Sequence, residues 1–285
     1  MTPAPTVPTR RLPALDLDLP VLGLGTWRTF DQPDLARLGG VLDACRETGV
    51  RLVDTAPVYA RSEAHLARLL HGDDDFFVAT KLWDTDPEEV EAVFRAQLSA
   101  YGRTSVDLLQ VHNLNGWRAN LDWLARQKEA GRVRFTGVTY QFDNAFGLGG
   151  TRADLNRVVS QGLADFVQVN LNAAEPDLAE DVLPAAAEAG VGVLVMRPFG
   201  EGGLLASPPP AGLLAELGCA TWSEALLRWV LARPEVTTVL TATGSADHLR
   251  ANAAAVLRGP LGPDEAAAVA RYARGAERSG AVGRR

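Results

Sequence analysis

The feature that most restricts the fold is an alternation. Short apolar runs, each followed by a longer segment of helical spacing, repeat eight times along the chain. The runs are Val21–Gly25, Arg51–Asp54, Phe76–Lys81, Val106–His112, Arg134–Thr139, Asp165–Asn170, Gly192–Met196 and Val236–Leu240. Near-continuous apolar runs of this length suit strands buried on both faces, as in a parallel sheet. Between them, helical spacing spans Asp34–Thr48, Ser62–Leu70, Pro87–Tyr101, Arg118–Ala130, Arg152–Ser160, Leu178–Ala189, Trp222–Ala232 and Ala246–Leu257. Local signals agree with the period: Asp86 and Pro87 open one helix, and Gly49, Gly131 and Gly190 stand just past the ends of others, where a left-handed residue closes the last turn.

Eight βα units in a chain of 285 residues predict an α/β fold, a (β/α)8 TIM barrel forming a single domain over 1–285. An open doubly wound sheet is the competing arrangement, and it carries G-x-G-x-x-G after its first strand. Here Gly23 and Gly25 are followed by Arg28 where the third glycine belongs, and Gly200–Gly203 does not fit the pattern either. Residues 1–12, rich in Pro and Thr, read as a loose N-terminal arm. Pro208–Pro210 mark a long loop, and 275–285 read as a polar C-terminal tail.

Charge and cysteine content narrow the function classes. The net charge is −7 without basic blocks, which argues against nucleic acid and anionic membrane as partners and for a small molecule. No apolar run reaches the roughly 18–20 residues of a membrane span, and Arg10–Arg11 are followed by the acidic Asp16–Pro20 stretch rather than by the apolar segment of an export signal. The expected location is the cytoplasm. Cys45 and Cys219, the two cysteines, lie in apolar helical contexts and read as core thiols. His65, His71 and His248 lack metal-ligand spacing, so no metal is expected. The chain is expected as a monomer or weak homo-oligomer.

In a barrel the chemistry sits at the carboxyl ends of the strands. The second run ends at Asp54, with Tyr59 in its loop; the third ends around Lys81 and the fourth around His112. Three consecutive strands therefore bring an acid, a phenol, an amine and an imidazole to one side of the mouth. A buried lysine keeps its proton only beside a carboxylate, a role for Asp54, and the ammonium in turn is expected to make the Tyr59 hydroxyl more acidic. Tyr59 then acts as general acid on a carbonyl oxygen that His112 orients. A carbonyl protonated at oxygen needs a nucleophile at carbon, and a hydride from a bound cofactor is the natural source.

These residues resemble the aldo-keto reductase family, NAD(P)H-dependent carbonyl reductases on a (β/α)8 barrel. Gly23–Trp27, Val53–Glu63, Val78–Trp83, Asp107–Asn113, Gly137–Tyr140, Ala164–Asn170, Arg197–Leu205 and His248–Asn252 match its motifs in order over nearly the whole chain. The resemblance implies that Asp54, Tyr59, Lys81 and His112 form the catalytic tetrad, with Tyr59 as the acid. For the cofactor it implies Gly25, Thr26, Trp27, Asp54, Thr139, Tyr140, Gln168, Met196, Arg197, Pro198, Phe199, Gly200, Thr243, Gly244, Ser245, His248, Arg250 and Asn252, with Gln168 on the nicotinamide amide. NADP (as NADPH) is favoured over NAD by family habit.

The chain departs from the pattern in three places. Thr139–Tyr140 stand where a Ser-Asn pair is usual, Met196 replaces an aromatic residue, and Thr241–Ala242 replace a Pro-Gly or Pro-Lys pair. His248 and Arg250 are the nearby cations expected for a 2′-phosphate. Trp27, Trp83 and Trp117, with Asn113 and Asn115, are expected to wall the pocket around Tyr59 and His112 for an aldehyde or ketone substrate. Two other functions remain open: a nucleotide-binding barrel acting as a redox-sensing or regulatory subunit without turnover, and a cofactor-free isomerase or lyase using Tyr59 and Lys81 as acid and base.

Overall fold

A computed structural model describes residues 5–141, 149–176 and 179–278. The chain opens with an antiparallel hairpin of β1 (Thr9–Leu12) and β2 (Leu17–Pro20). Eight strands follow: β3 (Leu22–Gly25), β4 (Leu52–Asp54), β5 (Phe77–Leu82), β6 (Val106–Val111), β7 (Val133–Tyr140), β8 (Phe166–Asn170), β9 (Gly192–Met196) and β10 (Thr238–Ala242). They close in the order β10-β3-β4-β5-β6-β7-β8-β9, every neighbouring pair parallel. The TIM barrel expected from the alternation is therefore the architecture observed.

The helices are α1 (Leu35–Thr48), α2 (Ser62–Leu69), α3 (Pro87–Tyr101), α4 (Trp117–Glu129), α5 (Arg152–Ser160), α6 (Ala179–Ala189), α7 (Ala211–Glu216), α8 (Trp222–Leu231), α9 (Ala246–Leu257) and α10 (Pro263–Arg278). Their starts have local causes. Asp34 accepts the Arg37 amide at 3.0 Å, and Thr151 with Asp154 closes a capping box, each relieving amides the helix itself leaves unpaired. Gly49 ends α1 at φ 79°, a conformation that disfavours any side chain. Among the described residues no helix is long and apolar enough to cross a membrane.

Two apolar clusters show which way each strand residue points. Leu52, Ala79, Leu108, Phe135, Phe166, Leu194 and Leu240 fill the barrel interior with Phe77. Val53, Val78, Leu109, Val138, Val167, Val195 and Val239 face the helices. Since side chains alternate along a strand, Asp54, Lys81, Gln110, Gln168 and Met196, each two positions past an interior residue, also point inward, one layer nearer the mouth.

Of the expected loose arm, 1–12, residues 1–4 lie outside the described residues, and Thr9–Leu12 are not loose but pair with Leu17–Pro20 in the hairpin. Leu17 and Leu19 of the hairpin belong to the interior cluster and plug the barrel at the amino ends of its strands. Arg10 donates to the carbonyls of Leu231 and Arg233, both at 2.7 Å, and to that of Val236. The reason is visible in Leu15-Asp16-Leu17-Asp18-Leu19, a period-two alternation that puts the leucines on one face. The expected tail also differs: α10 continues to Arg278, so Gly275–Arg278 are helical, and the rest of 275–285 lies outside the described residues. Trp229 Nε1 donates to the Ala266 carbonyl at 3.1 Å and ties α8 to α10. Cys45 and Cys219 are buried and unpaired, and burial pushes the Cys45 thiol up to about 12.

Candidate active site

β4 and β5 are adjacent, so their inward termini meet. Lys81 Nζ donates to Asp54 Oδ1 at 2.8 Å, to Oδ2 at 2.9 Å and to the Thr55 carbonyl at 2.7 Å. Lys81 is 1% exposed and Asp54 4%, a depth at which neither charge would survive alone. Burial disfavours the ammonium, but Asp54 and Tyr59 together outweigh it and raise the Lys81 pKa above its ordinary 10.5. The amides of Gln110 and Gln168 approach the same carboxylate, each at 3.4 Å.

Tyr59 comes over this pair from the loop after β4, its ring centre 5.0 Å from Lys81 Nζ. Burial pushes the phenol above its ordinary 10.0, while Lys81 works against the rise. The expected acidifying effect of the ammonium is present, but desolvation outweighs it. What the pair provides is a phenol that holds its proton at neutral pH, beside a cation that stabilises it once the proton leaves.

His112 follows the last residue of β6, with the Tyr59 ring 6.0 Å and the Trp83 ring 5.2 Å away, both edge-on. Burial first, and Lys81 second, lower its pKa from 6.5 to about 3. The imidazole is neutral at pH 7 and presents one N–H. Its Nδ1 is buried without a hydrogen-bond partner. All four expected catalytic residues therefore converge.

The pocket walls are less uniform. Trp27 and Trp83 are half-buried at the mouth, and Asn115 Nδ2 fixes the Trp83 carbonyl at 2.7 Å. Arg28 lies 4.6 Å and Arg197 5.4 Å from the centre of the Trp27 ring, and Glu201 pairs with Arg197 at 2.9 Å. Trp117, by contrast, is buried in the helix-facing core as the first residue of α4. Asn113 adopts φ 51°, and its amide donates to Thr139 Oγ1 at 2.9 Å.

Residues expected to hold a dinucleotide fall into three groups. At the mouth, Gln168 Oε1 is a buried acceptor without a partner, as is Oδ1 of Asn170, which sequence reasoning missed, both on the inward face of β8. Buried polar atoms are rarely left unpaired, and this set fits the NH2 of a carboxamide. Met196 stands half-buried at the inward end of β9. Thr26 is spent on the frame instead: its amide and hydroxyl both donate to the Asp54 carbonyl at 3.0 Å, holding the Gly25–Trp27 turn against β4. Tyr140 packs in the helix-facing core, because Thr139 takes the inward position of β7 and the next residue must point away.

The third group surrounds the start of α9. Ser245 caps the helix by accepting the His248 amide at 3.4 Å, and Thr243 Oγ1 accepts the Ser245 amide at 3.1 Å. Gly244 is pressed close to its surroundings: a Cβ there would sit 2.9 Å from the Thr29 carbonyl. Asn252 is buried in α9 and His248 is exposed. Arg250 is engaged with Glu47 at 2.9 Å and Asp247 at 3.3 Å. Arg37, which sequence reasoning missed, reaches over from α1 to donate to the Gly244 carbonyl at 2.7 Å. Across the seventh-strand loop Arg197 adopts φ 57° and Gly200 φ 54°, with Pro198 and Phe199 between them.

Comparison with known proteins supplies the family. The model described as Aldo/keto reductase family matches residues 21–210. An aldo-keto reductase of Mycolicibacterium smegmatis is 27% identical over 223 residues, covering 74% of this chain and 75% of its own. The fold is similar to the holo form of an aldo-keto reductase from Bacillus halodurans (TM-score 0.77, 22% identity, 93% of this chain and 96% of the other). It is also similar to an aldo-keto reductase from Klebsiella pneumoniae in complex with NADPH (TM-score 0.75, 21% identity, 94% and 96%). Taken with the (β/α)8 barrel and the match over two thirds of its length, the chain belongs to the aldo/keto reductase family.

Proposed function

We propose that this barrel is a reductase that moves a hydride from NADPH, rather than NADH, to the carbonyl carbon of an aldehyde or ketone, with Tyr59 delivering the proton to oxygen. The observation that carries the reading is the Lys81 ammonium, held by both oxygens of Asp54 beneath the half-buried Tyr59 ring. The Klebsiella relative's complex with NADPH supports the cofactor.

The bound dinucleotide supplies the hydride. Gln168 Oε1 and Asn170 Oδ1, buried without partners, would accept the carboxamide hydrogens, Met196 would pack beside the ring, and the loop from Thr243 to the start of α9 would receive phosphate with its amides and hydroxyls. Arg197–Gly200 would border the cofactor from the β9 side. Trp27 and Trp83 confine the substrate, and neutral His112 donates an N–H to its oxygen. Tyr59 gives that oxygen its hydroxyl proton, and Lys81 stabilises the phenolate left behind while Asp54 keeps the ammonium charged. Alcohol oxidation follows the same path reversed. We read the chain as one catalytic domain acting on a small molecule in the cytoplasm, a placement that the two buried, unpaired cysteines support.

The test is a fluorescence titration with NADPH and with NADH, followed by an aldehyde panel monitored through loss of reduced-nicotinamide absorbance. Binding with turnover is expected. Binding without turnover would favour the regulatory subunit, and no binding would favour the cofactor-free isomerase or lyase.

A further inference from the structure

The proton-transfer pair is built from two segments with separate anchors. Lys81 is fixed by strand pairing, but Tyr59 sits in a loop held locally by two backbone bonds, Tyr59 to Ala56 at 3.0 Å and Ser62 to Tyr59 at 2.9 Å. That loop contains Ala60 at φ 49°, a conformation alanine adopts only under constraint. The start of the loop is tied to β5, the Thr55 amide donating to the Ala79 carbonyl at 3.0 Å and its carbonyl accepting from Lys81 Nζ at 2.7 Å, so a second tie on the far side of Tyr59 is needed to hold the phenol over the ammonium.

Glu63 provides the tie. It lies in the first turn of α2, four residues after Tyr59, and it is buried. Its Oε1 accepts from Thr80 Oγ1 and, at 3.0 Å, from Gln97 Nε2. Gln97 Nε2 is also 3.0 Å from Thr80 Oγ1, so strand, α2 and α3 meet at one oxygen. Thr80 precedes Lys81 and faces the helices while Lys81 faces the barrel interior. The carboxylate therefore grips the far side of the strand that carries the ammonium. Burial pushes the Glu63 carboxyl up, with Thr80 and Gln97 acting against the rise, as expected of an acid enclosed among donors.

We propose that Glu63 is a positioning residue, which acts through Thr80 and Gln97 to set the separation of Tyr59 from Lys81. This rests on the proton-transfer roles proposed above. A carboxylate is suited to the task because one oxygen can take two converging donors, and displacement of a catalytic group by about 1 Å costs on the order of 100-fold in rate.

Thr80→Val, which is isosteric and removes the hydroxyl that donates to Glu63 and accepts from Gln97, and Glu63→Leu, which removes the carboxylate acceptor, are compared with Thr80→Ser and Glu63→Gln, which keep these groups. Measurements are the NADPH dissociation constant, kcat and KM on an aldehyde that the unaltered enzyme reduces, and the pH profile of kcat. Expected is a fall in kcat of about 10-fold or more in Thr80→Val and Glu63→Leu, with NADPH affinity within about threefold of the original. The alkaline limb should move to higher pH as the phenol loses its cation. The Ser and Gln variants should keep kcat within about threefold, and the Thr80→Val/Glu63→Leu double variant should be no slower than the worse single one. Native circular dichroism with unchanged kcat and pH limb in Thr80→Val would overturn the proposal. So would an equal loss in Thr80→Ser, which folds on the same contacts. If the unaltered enzyme turns over no aldehyde, the reductase reading itself has failed, and that outcome is separate.

Discussion

Replacing Lys81 by methionine isolates the energetics of the site. The change keeps the buried stem and removes an ammonium that makes three hydrogen bonds of 2.7–2.9 Å to Asp54 and the Thr55 carbonyl. What remains around the carboxylate is two amides, each at 3.4 Å, too distant to replace a cation. An unpaired charge of this depth destabilises a protein by about 3–5 kcal/mol, a large part of the 5–15 kcal/mol typical of a folded domain. Asp54→Asn in the same background removes the stranded charge and should restore about 2 kcal/mol or more. Urea unfolding at pH 7, followed through the six tryptophans, measures both. A Lys81→Met loss below about 1 kcal/mol, or a double variant no more stable than the single one, would refute the claim that this is a desolvated ion pair.

His112 makes stability depend on pH. Its folded pKa, about 3, lies below the ordinary 6.5, so the contribution is whole above pH 6.5 and is lost as pH falls towards 3. At pH 4.5 the loss is about 2–3 kcal/mol, and His112→Gln should flatten that part of a urea-derived stability profile. Because burial raises the Tyr59 pKa above its ordinary 10.0, the alkaline fall in kcat for reduction should come at higher pH than the titration of a free phenol. Gly137→Ala should destabilise by about 1–3 kcal/mol, since its Cβ would sit 2.8 Å from Gln110 Cγ; thermal unfolding reads this directly. Arg250→Met should change the NADPH dissociation constant by less than about threefold, because that guanidinium is already engaged by Glu47 and Asp247, as a fluorescence titration would show.

The barrel, and the meeting of Asp54, Tyr59, Lys81 and His112 at its mouth, were legible because each depends on a local rule. Short apolar runs fix the strands, alternation fixes which residues point inward, and closure places Asp54, Lys81 and His112 on neighbouring strands. Gln110 and Asn170 were not legible: in a strand buried on both faces, a polar residue gives no sign of the side it occupies until the register is known. Arg37 reaches the Gly244 loop across 207 positions of sequence, beyond any motif. The hairpin was hidden by prolines and by strands of only four residues, whose leucines have a partner only once the barrel exists. Tyr140 was assigned to the cofactor through its motif pair with Thr139, although period-two alternation lets only one of the two face the mouth.

The most direct measurement is a single-turnover one on Tyr59→Phe, with NADPH bound and an aldehyde mixed in rapidly. If the phenol is the proton source, NADPH binds within about threefold of the original affinity, while its oxidation slows by about 100-fold or more. Oxidation at the original rate would show that the carbonyl oxygen takes its proton from another group.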